Sequence, residues 1–173
     1  TIVAEVLYIG DIPTFGLTDV LTTIKLVRSE DGGLTWSDPI SISPTVRRTS
    51  SDAPAPGEGV AEGLKRIVQG SYLSVAPDGT AYVAWMDSTN DDSQKGDAEI
   101  YIARSDDAGK TFTRPIRVSL LREPGFRPTT AFFRYWGSVF PRIATGTLNE
   151  VYVVYVGLGD TSANDDGDVY FSR

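Results

Sequence analysis

An eight-residue pattern, S-x-D-x-G-x-T-[WF], occurs twice in this 173-residue sequence, at residues 29–36 and 105–112. The flanking residues also agree, because each copy follows a hydrophobic residue and an arginine and precedes a Pro-Ile pair. From residue 29 to residue 105 the period is 76 residues. A repeat at fixed spacing indicates a fold built from similar units that stack beside one another.

A third unit is present in part. Residues 151–155 match residues 81–85, and residues 168–173 match residues 97–104 when a gap of two residues is allowed. In the second unit, β-branched and aromatic residues alternate over four short stretches that are separated by turn residues. We therefore predict four strands there, at residues 71–76, 81–86, 99–104 and 114–119. Asp78-Gly79 predicts a tight hairpin between the first two strands. Four short strands per unit are typical of a β-propeller blade.

Composition excludes several classes of function. The chain has 16 basic and 23 acidic residues and a formal net charge of -7, so it is a poor candidate for binding nucleic acid. It has no cysteine and no histidine, which excludes thiol chemistry, disulfides, Cys/His zinc sites and triads with a histidine base. Any metal would have to be a cation that accepts oxygen ligands.

No signal peptide is visible, and no apolar run approaches the ~20 residues of a membrane span.

The eight-residue pattern is identified as the Asp-box, or BNR repeat, and the chain resembles the sialidase-like propellers that carry it from residue 24 to residue 173. The resemblance implies an all-β fold, a sialidase-like β-propeller that is incomplete, with about two and a half four-stranded blades. A closed propeller of this family has about six blades. We therefore expect a fragment, or a ring that is closed by the rest of the propeller or by another chain.

The repeat divides the chain into five parts. They are the end of a first blade with its box, an inter-blade loop, a second blade with its box, an inter-blade connection, and a partial third blade. Their bounds are residues 1–43, 44–69, 70–119, 120–136 and 137–173.

The box residues have a structural interpretation. The aspartate accepts hydrogen bonds from the N–H groups of the turn, and the serine and threonine add bonds through their hydroxyl groups. The glycine adopts a backbone conformation that a Cβ disfavours. The aromatic ring covers the hairpin. The residues are Ser29, Asp31, Gly33, Thr35 and Trp36 in the first copy, and Ser105, Asp107, Gly109, Thr111 and Phe112 in the second.

Two acidic loops also repeat, at residues 87–97 and 160–168. Clustered carboxylate and amide oxygens on a short glycine-containing loop are the ligands that Ca²⁺ prefers, so calcium is a possible cofactor of these loops. The alternative is a solvated acidic loop held by Asx turns. The candidate ligands are Asp87, Asn90, Asp91, Asp92, Asp97, Asp160, Asn164, Asp165, Asp166 and Asp168. No organic cofactor is expected.

The connection between the second and third units interleaves arginines with aromatic residues. This combination suits a carboxylated sugar, by ion pairing and stacking. The alternative is that the aromatic rings pack between blades and the arginines are solvated. The candidate ligand-binding residues are Arg127, Arg134, Tyr135, Trp136 and Arg142.

The sialidase mechanism, as the resemblance implies it, needs an arginine cluster, a tyrosine activated by a glutamate, and an aspartate acid/base. The family's R-I-P signature is absent, and the nearest string, at residues 141–144, reads P-R-I-A. We therefore assign no catalytic residue to this chain. The leading hypothesis is a non-catalytic blade segment of an exported or cell-surface propeller, serving as a scaffold or as a module that binds glycan or protein.

Two alternatives remain open. One is part of a sialidase-type glycoside hydrolase, with Arg134 and Arg142 in anion binding and the catalytic set completed by missing blades or a partner chain. The other is a subunit whose role is assembly.

Overall fold

The computed structural model describes residues 2–9, 19–49, 68–90, 96–123, 140–158 and 167–173, and these residues form eleven strands and no helix. The strands are β1 (Ile2–Ile9), β2 (Asp19–Val27), β3 (Ile40–Ser41), β4 (Val46–Thr49), β5 (Val68–Val75), β6 (Ala81–Asp87), β7 (Asp97–Ser105), β8 (Ile116–Arg122), β9 (Arg142–Thr145), β10 (Val151–Gly157) and β11 (Asp168–Ser172). They pair into three antiparallel sheets in chain order, β1–β4, β5–β8 and β9–β11. Over the same ranges, no helix is long and apolar enough to cross a membrane.

The second sheet is a four-stranded antiparallel meander in the order β5-β6-β7-β8. Its strands lie within three residues of the bounds predicted from the sequence, so the four-strand unit is confirmed. The Asp78-Gly79 hairpin is confirmed as well. Gly79 has a φ of +89°, and its N–H donates to the carbonyl of Ala76 at 2.9 Å.

The other two sheets repeat parts of this meander. In the third sheet β9, β10 and β11 take the places of β5, β6 and β7, while in the first sheet β2 takes the place of β7. The outer strand of the first sheet is interrupted between β3 and β4. At the interruption, the N–H of Ile24 donates a hydrogen bond to the Ser43 hydroxyl at 2.8 Å. β4 itself lies in the stretch that the sequence analysis assigned to an inter-blade loop.

The central strands β6 and β7 of the second sheet are mostly buried on both faces, because this sheet lies between the other two. We name the face that a sheet turns toward the next sheet its forward face, and the opposite one its back face. The forward face of the second sheet packs on the third sheet through Ala84, Met86 and Ile100. Its back face packs on the first sheet through Val83 and Trp85. Burying each large apolar side chain stabilises the stack by roughly 1.5–3 kcal/mol.

Face-to-face stacking of meander sheets in chain order is propeller-like packing, and the described fold is an all-β, incomplete propeller. The meander also fixes which connections share an end. β5–β6 and β7–β8 are joined at one end, which we name the box end because the second box joins β7 to β8. β6–β7 and β8–β9 are joined at the opposite end, which we name the loop end.

Candidate functional site

The two boxes share one set of hydrogen bonds around their aspartates, and the first box adds a bond from the Trp36 indole N–H to the carbonyl of Gly33 at 3.1 Å. In the second box, Asp107 Oδ1 accepts the N–H groups of Lys110 and Thr111 at 3.0 and 2.9 Å, and Oδ2 accepts the Thr111 hydroxyl at 2.6 Å. The Ser105 hydroxyl donates to Asp107 and accepts the N–H of Gly109 at 2.8 Å. Each bond recurs in the first box with a distance that differs by no more than 0.1 Å. The structural interpretation of the box is consistent with this closed network.

These bonds also set the charge of the two aspartates. The threonine hydroxyl, the threonine N–H and the serine hydroxyl together hold the pKa of Asp31 and Asp107 far below the ordinary value of 3.8. Both carboxylates are therefore ionised and have their acceptor positions filled from within the hairpin. A carboxylate in this state is unsuited to act as a general acid near neutral pH.

The box therefore predicts an acid-dependent loss of stability. The pKa of this carboxyl group is lower in the folded chain than in the unfolded chain. Its ionised form therefore stabilises the fold fully above the unfolded pKa. The stabilisation is lost progressively as the pH falls from the unfolded pKa toward the folded pKa. We expect Asp107→Ala to lower the melting temperature at pH 7 by roughly 5 °C, the scale of a lost cap, and by less at pH 3.

Asp106→Ala is the matched control for this variant, because among the described residues Asp106 has only exposed contacts, an ion pair with Arg104 at 2.7 Å and a hydrogen bond from the Thr80 hydroxyl at 3.5 Å. Thermal unfolding followed by circular dichroism measures both variants. Equal shifts for Asp106→Ala and Asp107→Ala would contradict a specific role of the box carboxylate.

A polar cluster lies near the loop end of the second sheet, around the buried side chain of Glu99. Its Oε1 accepts a hydrogen bond from Arg117 at 2.8 Å. Its Oε2 accepts from Asn90 at 3.0 Å and from the Tyr101 hydroxyl at 3.3 Å. The bond from Asn90 ties the base of the first acidic loop to the sheet.

Burial and neighbouring charge raise two pKa values in this cluster. Burial raises the pKa of Asp87, and the nearby Glu99 carboxylate adds to the effect. Burial and the same carboxylate also raise the pKa of Tyr101, whose ring stacks on Trp85 at 6.1 Å between centroids. Tyr101 is thus a hydrogen-bond donor that resists ionisation, which is the opposite of an activated phenolate nucleophile.

The calcium prediction falls mostly outside the described residues. Of its ten candidate ligands, the structure describes Asp87, Asn90, Asp97 and Asp168. Asp87 accepts bonds from Thr89, and Asp97 pairs with Arg122 at 3.1 Å. Among the described residues there is no group of three or more carboxylates that could hold a metal ion. The remaining candidates are Asp91, Asp92, Asp160, Asn164, Asp165 and Asp166, so the prediction stays untested.

The edge strands β5 and β9 approach each other where the second and third sheets meet. The Ser74 and Thr145 hydroxyls are 3.0 Å apart, and Thr145 donates to the carbonyl of Val75 at 2.9 Å. Beside them, the guanidinium of Arg142 lies 5.0 Å from the centre of the Tyr72 ring. Both side chains are exposed, so this edge presents a cation on an aromatic ring to solvent.

Arg142 is the one predicted ligand-binding residue that lies in the described part of the chain. Arg127, Arg134, Tyr135 and Trp136 lie outside it, so their proposed contacts with a ligand stay a prediction. Within the described residues, Arg142 has a bond to its neighbour's carbonyl, on Pro141 at 3.3 Å, and no ion pair with a carboxylate. The guanidinium therefore retains donors for an external anion.

Sequence reasoning missed Glu99, Arg117 and Tyr72. Glu99 could have been identified from the sequence pattern. The alternation along β7 places it on the same buried face as Tyr101 and Ala103, and a buried carboxylate needs a hydrogen-bond partner. Identifying Arg117 as that partner required the register of β7 with β8, which includes an irregularity between Ile100 and Tyr101. Tyr72 was unremarkable in sequence, since its role depends on the approach of another sheet.

No protein-family model matches the sequence, and no curated protein was found to match it. Among solved structures, the chain is similar to the Hadza microbial sialidase Hz136, with 18% sequence identity and a TM-score of 0.42. The match covers 90% of this chain and 33% of that protein, so the chain spans about a third of the sialidase's length. This similarity concerns the fold alone, and it does not assign the activity of that protein to this chain.

Proposed function

We propose that this chain is a non-catalytic segment of an exported or cell-surface propeller, which serves as a scaffold and binds carboxylated glycan at the edge formed by β5 and β9. The Arg142–Tyr72 pair is the observation that carries the proposal. Export is supported by the Asp-box resemblance alone.

The chemistry of the pair suits a sugar acid. An arginine guanidinium binds a carboxylate through two parallel hydrogen bonds, and its geometry selects planar anions. The exposed Tyr72 ring offers an apolar face beside that charge, on which the C–H groups of a sugar ring can lie. The hydroxyls of Ser74 and Thr145 lie on the same two strands and can serve sugar hydroxyl groups.

The non-catalytic part of the proposal is supported by the chemistry of the described acids. Asp31 and Asp107 are committed to their own hairpins. Glu99 is buried and paired with Arg117, and the pKa of its neighbour Tyr101 is raised. Of the groups that the structure describes, none combines an ionisable tyrosine with a glutamate base beside Arg142.

Titration with N-acetylneuraminic acid tests the proposal. We expect weak saturable binding, seen by calorimetry or by protein NMR shifts, that Arg142→Ala weakens about 10- to 100-fold, the range for a lost charged hydrogen bond. The methyl ester of the same sugar lacks the carboxylate and should bind as weakly as the acid binds the variant. Arg114→Ala is the matched control, because Arg114 is an exposed arginine near the box end. Equal affinity for wild type and Arg142→Ala would contradict the proposal.

The calcium prediction has an independent test in thermal unfolding. A cation that binds only the folded chain at 100 times its dissociation constant stabilises it by about 2.7 kcal/mol, which corresponds to a melting-temperature rise of roughly 5–10 °C. We expect this rise when CaCl₂ is added to chelator-treated protein, and its loss in a variant with both Asp91→Ala and Asp92→Ala. The same ionic strength from NaCl is the control, and an unchanged melting temperature with CaCl₂ would show the prediction to be wrong.

A further inference from the structure

A one-way chain of hydrogen bonds crosses from β5 to β9 beside the Arg142–Tyr72 pair. The Thr145 hydroxyl donates to the carbonyl of Val75 at 2.9 Å, and the Ser74 hydroxyl lies 3.0 Å from the same Thr145 oxygen. A hydroxyl has a single proton, and a carbonyl oxygen can only accept. Both contacts are therefore satisfied only when Ser74 donates to Thr145 and Thr145 donates to Val75.

This direction decides what the two hydroxyls, which we name the hydroxyl pair, offer to a ligand. Both protons are used inside the chain of bonds, so neither hydroxyl donates to an outside group while the bonds are intact. Counting the bonds from described residues, Ser74 keeps two acceptor lone pairs and Thr145 keeps one. Both residues are half-buried, so solvent reaches part of each. The hydroxyl pair therefore accepts a hydrogen bond from a ligand hydroxyl or amide N–H group and disfavours the oxygen of an anion.

The cation at this edge lies one step along the strand from the hydroxyl pair. Tyr72 and Ser74 are two residues apart on β5 and lie on the same face of the second sheet. Two residues along a strand correspond to roughly 7 Å. Arg142 lies over the Tyr72 ring, and Thr145 lies beside Ser74. The edge thus offers donors for an anion at one point and acceptors for a hydroxyl at the next.

We infer that this edge selects sugar acids that have a free hydroxyl or amide N–H group beside their carboxylate, and that it discriminates against sugars in which a sulfate replaces that hydroxyl. Thr145 is the specificity-determining residue, because its bond to Val75 keeps Ser74 in the donating direction. A sulfate in that place has no proton to donate and brings further acceptors against the acceptors of the hydroxyl pair. The inference rests on the proposed glycan binding and names the ligand class of the same edge.

Substitutions at position 145 separate the direction of the hydrogen bonds from the rest of the site. Thr145→Val keeps the branched shape of the side chain but removes the hydroxyl, which releases the Ser74 proton for donation to a ligand. Thr145→Ser keeps a hydroxyl and hence the direction. The serine variant should therefore retain the wild-type preference, and the valine variant should lose it.

Binding of unsaturated chondroitin disaccharides, followed by protein NMR shifts, tests the inference. The unsulfated disaccharide has one carboxylate and free hydroxyls, and each monosulfated form replaces one of those hydroxyls with sulfate. We expect the wild type to bind the unsulfated disaccharide about 5- to 10-fold more tightly than the weakest monosulfated form, the scale of one lost hydrogen bond. Charge alone predicts the reverse order, because a second anionic group is attracted to the same arginine.

The variants complete the test. Thr145→Val should reduce the ratio between the unsulfated and the weakest monosulfated form to within about twofold, whereas Thr145→Ser should keep it. Ser74→Ala is a second variant of the hydroxyl pair and should also reduce the ratio. Arg142→Ala should weaken the binding of every form. Far-UV circular dichroism and thermal unfolding confirm that each variant is folded.

The outcomes distinguish this inference from the proposed function. Binding that depends on Arg142, with a ratio that neither Thr145→Val nor Ser74→Ala changes, would overturn the selectivity and leave glycan binding in place. Tighter binding of all the monosulfated forms by the wild type would also overturn the selectivity alone. Binding that Arg142→Ala does not weaken, or no binding of any form, would overturn the proposed function and this inference with it.

Discussion

Gly70→Ala is expected to destabilise the chain by about 3 kcal/mol, combining left-handed backbone strain with overpacking of the core. Gly70 lies at a register irregularity of β5 between Gln69 and Tyr72, with a φ of +70°. A Cβ added there would clash with the Cδ1 and Cγ atoms of the Phe140 ring. That ring packs against the core between the second and third sheets, so it cannot move away freely.

The matched control is Gly79→Ala. Gly79 has a φ of +89°, but nothing lies within 4 Å of its added Cβ, so only backbone strain of about 1–2 kcal/mol is expected. Chemical denaturation measures both variants. Phe140→Leu in the Gly70→Ala background should recover part of the loss, because it removes the ring atoms that the Cβ meets. Equal losses for the two glycine variants would contradict the close approach of Phe140.

Trp85→Ala is expected to cost about 3–5 kcal/mol, the range for removing a large aromatic side chain from a core. Trp85 is fully buried between the first and second sheets and stacks on Tyr101. For a chain of this size the loss corresponds to a melting-temperature drop of roughly 10 °C or more. It is also a large fraction of the 5–15 kcal/mol that stabilises a typical domain, so partial unfolding at 37 °C is the expected result.

Trp85→Phe separates packing from hydrogen bonding at the same site. Among the described residues, the buried Nε1 of Trp85 has no hydrogen-bond partner, so phenylalanine removes a donor that costs stability when unpaired. We expect a loss of less than about 2 kcal/mol for this variant, since most of the ring contacts remain. A Trp85→Ala protein that melts within 2 °C of wild type would contradict face-to-face packing of the first two sheets.

The sequence was sufficient for the strands because their signals are local. Alternation in β6 and β7, the Asp-Gly turn and the repeated box each depend on a few neighbouring residues, and the structure has them at or near the predicted positions. The box could be interpreted bond by bond, because Asp107 reaches N–H groups only three and four residues away.

The remaining features depend on distant parts of the chain. The pairing of Glu99 with Arg117 requires the register of β7 with β8, and the pairing of Arg142 with Tyr72 requires the approach of two sheets. β4 escaped prediction because the interruption around Ser43 breaks the alternation of its strand. Alternation also cannot tell which apolar face is covered, so the exposure of Phe171 was apparent only from the stacked sheets.

The most direct test of the proposed function is an assay with a fluorogenic aryl sialoside that measures binding and cleavage in the same sample. If the chain is a non-catalytic scaffold, the sialoside should bind saturably, and the binding should be weakened by Arg142→Ala and unaffected by Arg114→Ala. The fluorophore should be released no faster than in buffer. Binding of the sialoside with equal affinity to wild type and Arg142→Ala would contradict the assigned edge. Release of fluorophore in proportion to protein concentration would contradict the non-catalytic account and establish the chain as part of a glycoside hydrolase.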